Sequence, residues 1–278
     1  MYPNWADASQ RFPAVERQQT RIRLNRNEQR LQVSERTIRQ VARQECGSNI
    51  AMILLRQAFY EYWLRLWKHT SFRRSENGEA CKAYCAMSRA EFEAINARQR
   101  WANWRTIPRG ISGLLPNRPL TIIDLCCGTG DSTAVLAYYA HPGSRIVGLE
   151  NNPAFVTEAR SRSFWDERGH PCTVTFNVQS VLEKFRDADG QIFQDGSVDW
   201  INCCGAIGCH FDKEATRKLS DEIARVLRPR GLATLDSGES GTSEQDLTAI
   251  MLARQMKPVH RAKSCIFDRY TQVCFQRR

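Results

Sequence analysis

The segment Leu120-Thr-Ile-Ile-Asp124-Leu-Cys-Cys-Gly128-Thr-Gly130 constrains the fold of this chain more than any other. Leu120–Leu125 is apolar without strict alternation, as a strand buried on both faces requires. It runs straight into Gly-Thr-Gly, and Asp131–Ala140 then reads as a helix. Gly128 and Gly130 permit a tight turn and let a ligand approach where a Cβ would clash. The helix that follows presents free N–H groups and the positive end of its dipole to whatever docks there.

The same alternation continues. Arg145–Glu150 reads as a strand, Pro153–Ser163 as a helix, and Thr173–Val178 and Val198–Cys203 as strands. Lys213–Leu227 is a periodic helix, Leu232–Leu235 a strand and Ser243–Met256 a helix. Two strand-like runs close the chain, near Ala262–Phe267 and Thr271–Gln276. This order predicts an α/β protein with an open, mostly parallel sheet covered on both sides. The last two runs are separated only by Asp268–Tyr270, which allows an antiparallel hairpin but no parallel crossover.

The first part of the chain has a different character. Residues 1–120 hold 21 Lys+Arg against 10 Asp+Glu, whereas residues 121–278 hold 19 against 20. The sequence therefore divides into a basic helical extension, residues 1–87, and a nearly neutral body, residues 88–278. In residues 16–46, Leu24, Leu31 and Ile38 are spaced by seven and Val41 follows, which predicts one helix with a narrow apolar stripe. Residues 50–70 form a second helical pattern containing Phe59, Tyr60, Tyr62, Trp63 and Trp67. Ser88-Arg-Ala-Glu91 is a capping box, and the helix it opens is expected to run to about Thr106, with Pro108 and Gly110 ending it.

The N-terminus shows no basic segment followed by an apolar one, so no secretory signal is expected. The 11 cysteines include the adjacent pairs Cys126–Cys127 and Cys203–Cys204 inside apolar runs, a poor disulfide framework. Free, buried thiols in a reducing cytoplasm are expected. Cys81 and Cys85 would share a helix face, with packing rather than zinc as the default.

Glu150 lies 26 residues after Asp124, at the end of the next strand. A carboxylate there can accept two hydrogen bonds from a ribose diol, so an adenosine-containing cofactor across the strand ends is expected. A dinucleotide fingerprint needs a third glycine and more backbone room for its phosphates.

Asp124-Leu-Cys-Cys-Gly-Thr-Gly130 resembles the first motif of the class I S-adenosylmethionine-dependent methyltransferases. Its flavour is nearest the ubiquinone/menaquinone-type small-molecule enzymes. Arg145-Ile-Val-Gly-Leu-Glu150, Phe176-Asn-Val-Gln-Ser180-Val, Ser197-Val-Asp-Trp-Ile-Asn202-Cys and Ala224-Arg-Val-Leu-Arg-Pro-Arg-Gly231 extend the resemblance over roughly residues 95–278. It implies a Rossmann-like, doubly wound, seven-stranded sheet with a C-terminal antiparallel hairpin, and S-adenosyl-L-methionine as cofactor. Asp124, Cys126, Gly128 and Gly130 would cradle the methionine end, and Glu150 and Asn151 the ribose. Ser180 and Val181 would flank adenine, and Asn202 would sit beside the methyl. In this family the segment Arg98–Arg105 is a lid, so Trp101 or Trp104 would cover the pocket and Arg100 or Arg105 would meet the methionine carboxylate; a helix packed on the sheet by its tryptophans, with solvated arginines, is the equal alternative. Three residues depart from the family pattern: Cys126 replaces a glycine, Ser180 a common Asp, and Arg230 a frequent Gly.

The acceptor side is Asn202–His210, after the fourth strand. His210 is the candidate general base, beside the plainer reading that it caps or packs near the helix that follows. The expected reaction is methyl transfer to a small, perhaps lipophilic, organic molecule. Three other readings stay open: an RNA- or protein-directed methyltransferase docking through the basic helices, an arsenite-type enzyme using Cys203, Cys204 and Cys209, and a cofactor sensor without activity. For the basic extension, a helical cap over the body is favoured, then contact with an anionic membrane surface, with a homodimer through the helices also open. Interleaved acids (Asp7, Glu16, Glu28, Glu35, Glu45) argue against a phosphate rail for nucleic acid.

Overall fold

The computed structural model describes residues 30–47, 49–68, 87–265 and 268–278. Their centre is a seven-stranded sheet in the order β3-β2-β1-β4-β5-β7-β6. The strands are β1 (Thr121–Leu125), β2 (Arg145–Glu150), β3 (Thr173–Val178), β4 (Val198–Cys203), β5 (Leu227–Ser237), β6 (Met256–Ala262) and β7 (Thr271–Arg277). β1 to β5 pair in parallel, and β7 lies antiparallel between β5 and β6. The order reverses direction between β1 and β4, where ligands of open parallel sheets bind.

The continuous apolar strands are buried on both faces, as expected. Ile122, Ile146, Trp200 and Leu232 point into one core, and Ile123, Val147, Ile201 and Ala233 into the other. The helices that cover these faces are α1 (Glu35–Cys46), α2 (Ile50–Lys68), α3 (Arg89–Ile95), α4 (Ala97–Ile111), α5 (Asp131–Tyr139), α6 (Pro153–Ser161), the short α7 (Ile207–His210), α8 (Lys213–Val226) and α9 (Glu244–Leu252).

Four sequence expectations shift. The helix expected over residues 16–46 starts at Glu35, capped by Ser34, whose hydroxyl accepts from the Thr37 N–H. Leu31 is not helical; it exchanges backbone hydrogen bonds with Leu115 and Gly113 at 3.0 and 2.7 Å. Leu24 lies outside the described residues, as do Cys81 and Cys85. Ile38, Val41 and Ala42 pack with Trp104, Ile107 and Ile111 of α4 in the core shared with the sheet. Arg109 of α4 and Glu35 of α1 form an ion pair across this contact.

The capping box at Ser88 is present, but its helix breaks at Asn96 and resumes as α4 through Pro108 to Ile111. Proline there sacrifices one intrahelical bond; burial of Ile107 and Ile111 carries the helix past it. β5 begins at Leu227, earlier than expected. Between the pairs Val198↔Leu227 and Trp200↔Leu232, β5 advances five residues while β4 advances two. The excess loops out, with Arg230 in a left-handed conformation at φ 64. Finally, α9 stops at Leu252 and the last hairpin begins at Met256. Gln255, at φ 60, reverses the chain. Pro258 is tolerated because β6 is an edge strand.

Candidate functional site

A cavity of about 470 Å³ opens at the carboxyl ends of β1, β2 and β4. Its floor is the turn after β1. Cys126 and Gly128 are left-handed, at φ 52 and 55, and Gly130 at φ 88 precedes α5. A Cβ on Gly128 would stand 2.8 Å from the Phe92 ring, and one on Gly130 3.0 Å from Phe164. The turn is therefore closed to larger residues by both backbone and packing.

Asp124 is completely buried beneath that floor. Its Oδ2 accepts from the hydroxyls of Ser132 and Thr133 at 2.7 and 2.6 Å, and its Oδ1 from Asn202 Nδ2 at 2.8 Å. Asn202 Oδ1 in turn accepts from Thr234 Oγ1 at 2.9 Å, and Trp200 Nε1 donates to the same Thr234 hydroxyl. Asp124, Asn202 and Thr234 occupy neighbouring positions on β1, β4 and β5. They form a polar rung across three parallel strands, stapled to the start of α5. Burial pushes the Asp124 carboxyl up to about 6, against the pull of its three donors. Gln272 of β7 reaches Asn202 Oδ1 at 3.3 Å and the Cys204 sulfur at 2.7 Å, bringing the antiparallel strand into the network.

Glu150 faces the cavity from the end of β2. Its Oε2 accepts from the Gly128 N–H at 3.0 Å and its Oε1 from the Asn152 N–H at 2.9 Å. These bonds fix the carboxylate while leaving lone pairs for a diol. Burial raises its pKa, and the backbone N–H groups of Asn152, Gly128 and Asn151 oppose that shift. Phe155, Val181 and Leu182 supply an apolar wall beside it. At the other end stand Cys204, Gly205 and His210. Burial drives the His210 imidazole down to about 4, so it is neutral near pH 7. α7, which ends in His210, is held by Asp236, which accepts from the N–H groups of Ala206, Ile207 and Gly208.

Of the residues expected from sequence, Cys126, Gly128, Glu150, Asn151, Ser180, Val181 and His210 line the cavity. Asp124, Gly130 and Asn202 lie just beneath it as supports. Arg105 is off the lining; its guanidinium stacks over the Trp101 ring, 4.3 Å from the centroid. Trp101 and Trp104 are buried in packing and cover no pocket. Arg100, one turn earlier, does face the cavity. With it come Asn96, Gln99 and Asn103, which sequence reading missed. Their spacing of three, four and seven residues puts them on one helix face, a signal present in the sequence but masked by Trp101 and Trp104 beside them. Cys203 packs in the opposite core from Cys204, so the two adjacent thiols diverge. Among the described residues no group of three His, Cys, Asp or Glu side chains is placed to hold a metal ion.

Residues 122–231 match a family model described as a methyltransferase domain. A 40-residue segment is 52% identical to trans-aconitate 2-methyltransferase of Escherichia coli O1:K1 / APEC, covering 14% of this chain and 16% of that one. A 66-residue segment is 38% identical to 2-phytyl-1,4-naphtoquinone methyltransferase of Thermosynechococcus vestitus, covering 24% and 25%. The matched segments thus span a quarter or less of these curated relatives. Among solved structures, a chain from the complex between the Haloferax volcanii Trm112 methyltransferase activator and a methyltransferase shares the fold. Its TM-score is 0.52 at 16% identity, covering 70% of this chain and 96% of that one. The family match covers residues 122–231, less than half of the chain, and the Haloferax volcanii chain shows the fold in which those residues are built, an open and mostly parallel sheet closed by an antiparallel hairpin. S-adenosylmethionine is the cofactor that the sequence resemblance implies. The residues present fit it: a turn that leaves no room for a Cβ at Gly128 or Gly130, a fixed carboxylate at the end of β2 and an apolar wall beside it.

Proposed function

We propose that the protein transfers the methyl group of S-adenosylmethionine to a small, lipophilic organic acceptor. The observation that carries this reading is the fixed Glu150 carboxylate facing a cavity floored by the Gly128 turn. Bound S-adenosylmethionine supplies a methyl carbon made electrophilic by its positive sulfur. The chain's own part is positioning and exclusion of water, which suffice to lower the barrier of such a transfer. Glu150 and Asn151 hold the ribose, and Ser180 and Val181 flank the adenine. Asp124 and Asn202 act from below, keeping the β1 turn and the end of β4 in register. His210 faces the acceptor end as a neutral imidazole able to take a proton from an acceptor hydroxyl. The mostly apolar lining supports a lipophilic acceptor, with the Asn96, Gln99 and Asn103 side chains as its polar contacts.

The test combines binding and turnover. Calorimetry with S-adenosylhomocysteine should give a defined heat, and labelled S-adenosylmethionine incubated with fractionated extract should pass label into the small-molecule or lipid fraction. Glu150→Ala should weaken cofactor binding by about 1–3 kcal/mol, because ribose donors lose their partner. Glu150→Gln, which keeps the shape, separates that loss from disturbance of the turn. Unchanged affinity in both variants removes the ribose role, and label confined to RNA or protein overturns the acceptor class.

A further inference from the structure

Eight of the twelve large, exposed apolar side chains among the described residues lie on α2. The side of α2 turned to the protein is marked by Ile53, Gln57, Tyr60, Glu61 and Leu64, none of them exposed. Leu64 is fully buried with Met87 and Ile95, and the Gln57 side chain accepts from the Arg98 N–H at 3.1 Å. The opposite side carries Leu55, Phe59, Tyr62, Trp63, Leu66 and Trp67. Trp67 is 69% exposed and Phe59 62%. Phe59, Trp63 and Trp67 stack on one another along the helix, at 6.4 and 5.0 Å between ring centroids. A patch of this size, on the order of several hundred Å², marks an interaction surface rather than ordinary scattered exposure.

Charge and chemistry select the occupant. The helix carries Arg56, Arg65 and Lys68 against the single acid Glu61, within an N-terminal 120 residues of net charge +11 (21 against 10). Arg56 and Arg65 are exposed at the margins of the aromatic stripe. Two copies meeting face to face would set these cations against each other, whereas anionic headgroups would neutralise them. Tryptophan and tyrosine favour the boundary between headgroups and acyl chains. Arg56, Glu61 and Arg65 spread charge along the helix, and no described helix is long and apolar enough to cross a membrane. Such a helix lies along the surface. It also adjoins the cavity: Phe92 lines the pocket and packs against the cluster of Leu64, Met87 and Ile95.

We infer that α2 is a docking element for an anionic lipid bilayer, its Leu55–Trp67 stripe seated among the lipids, with the cavity beside it. A lipophilic acceptor dissolved in the bilayer then has a short path to the methyl. The docking itself stands on α2 alone; only the delivery of acceptor rests on the methyltransferase reading.

The experiment is flotation of the full-length protein with vesicles of phosphatidylcholine, with and without phosphatidylglycerol, at low and high salt and without cofactor. The intact protein should float with the anionic vesicles, less so at high salt. The triple variant Phe59→Ser, Trp63→Ser, Trp67→Ser should lose at least about tenfold in partitioning, and its unchanged affinity for S-adenosylhomocysteine shows that it is folded. The pair Arg56→Gln, Arg65→Gln should lose the preference for anionic over neutral vesicles. Failure of the intact protein to float, or flotation of the triple variant like the intact protein, overturns the inference. So does a dimer in sedimentation equilibrium that the triple variant abolishes while vesicles go unbound; the stripe is then a contact between copies. Because S-adenosylhomocysteine binding is read separately, the methyltransferase reading stands or falls independently.

Discussion

Among the described residues, three other than glycine adopt left-handed backbone: Cys126, Arg230 and Gln255. Such a conformation costs a residue with a Cβ roughly 1–2 kcal/mol. At Cys126 the cost is borne inside the turn that floors the cavity, where the thiol also packs against the core. At Arg230 the side chain is exposed, so nothing offsets it. Arg230→Gly should therefore raise stability by about 0.5–1 kcal/mol after the greater entropy of unfolded glycine is counted, read as a higher urea midpoint at unchanged slope. His210 makes a different prediction. Its imidazole protonates only near pH 4, because burial disfavours the cation. If it takes the acceptor's proton, kcat should be flat above about pH 5 and fall as pH drops through 4. His210→Gln should lower kcat by about 10²-fold or more and abolish that limb, with cofactor affinity intact. The same limb in the variant removes His210 from the reaction.

Among elements, α1 shows how far the N-terminal helices belong to the body. Val33, Ile38, Val41 and Ala42 are buried in the core that holds Trp104, Ile107 and the β-sheet. Ile38 is 2% exposed, so Ile38→Ala should cost about 2–4 kcal/mol. Unfolding followed by far-UV dichroism and by tryptophan fluorescence should remain a single coincident transition. Two separated transitions would mean that α1 rides on the body without sharing its stability. α4 has two jobs on two faces: Trp104, Ile107 and Ile111 hold the core, while Asn96, Gln99, Arg100 and Asn103 face the cavity. Its sequence left two readings open, a lid with tryptophans over the cofactor and a helix packed on the sheet by its tryptophans. The structure has the second, because burying indole area against Tyr138 and Tyr139 is worth more than leaving it at a pocket mouth.

For the molecule as a whole, two buried carboxylates shape stability against pH. Asp124 and Asp236 both titrate near 6, pushed up by burial despite their hydrogen bonds. An unfolded Asp titrates near 3.9, so between about pH 4 and 6 the folded state binds more protons. Their effect therefore reduces stability as pH rises through that window, and is complete above about pH 6. Asp236→Asn should reduce this fall by on the order of 3 kcal/mol, measured as urea midpoints from pH 4 to 7. An unaltered slope would show that Asp236 does not titrate there.

Local periodicity and glycine placement determined the parallel strands β1 to β4, the turn at Gly128 and the carboxylate of Glu150. Those features depend on neighbours a few residues away, and strands buried on both faces leave an unbroken apolar run that sequence exposes directly. The rung from Asp124 through Asn202 to Thr234, the reach of Gln272, the start of the hairpin at Met256 and the outward aromatic face of α2 were decided only by tertiary structure. Each requires knowing which segments, remote in the chain, lie side by side. An exposed tryptophan and a buried one share the same letter, and only the packing around them sets which face meets protein and which meets something else.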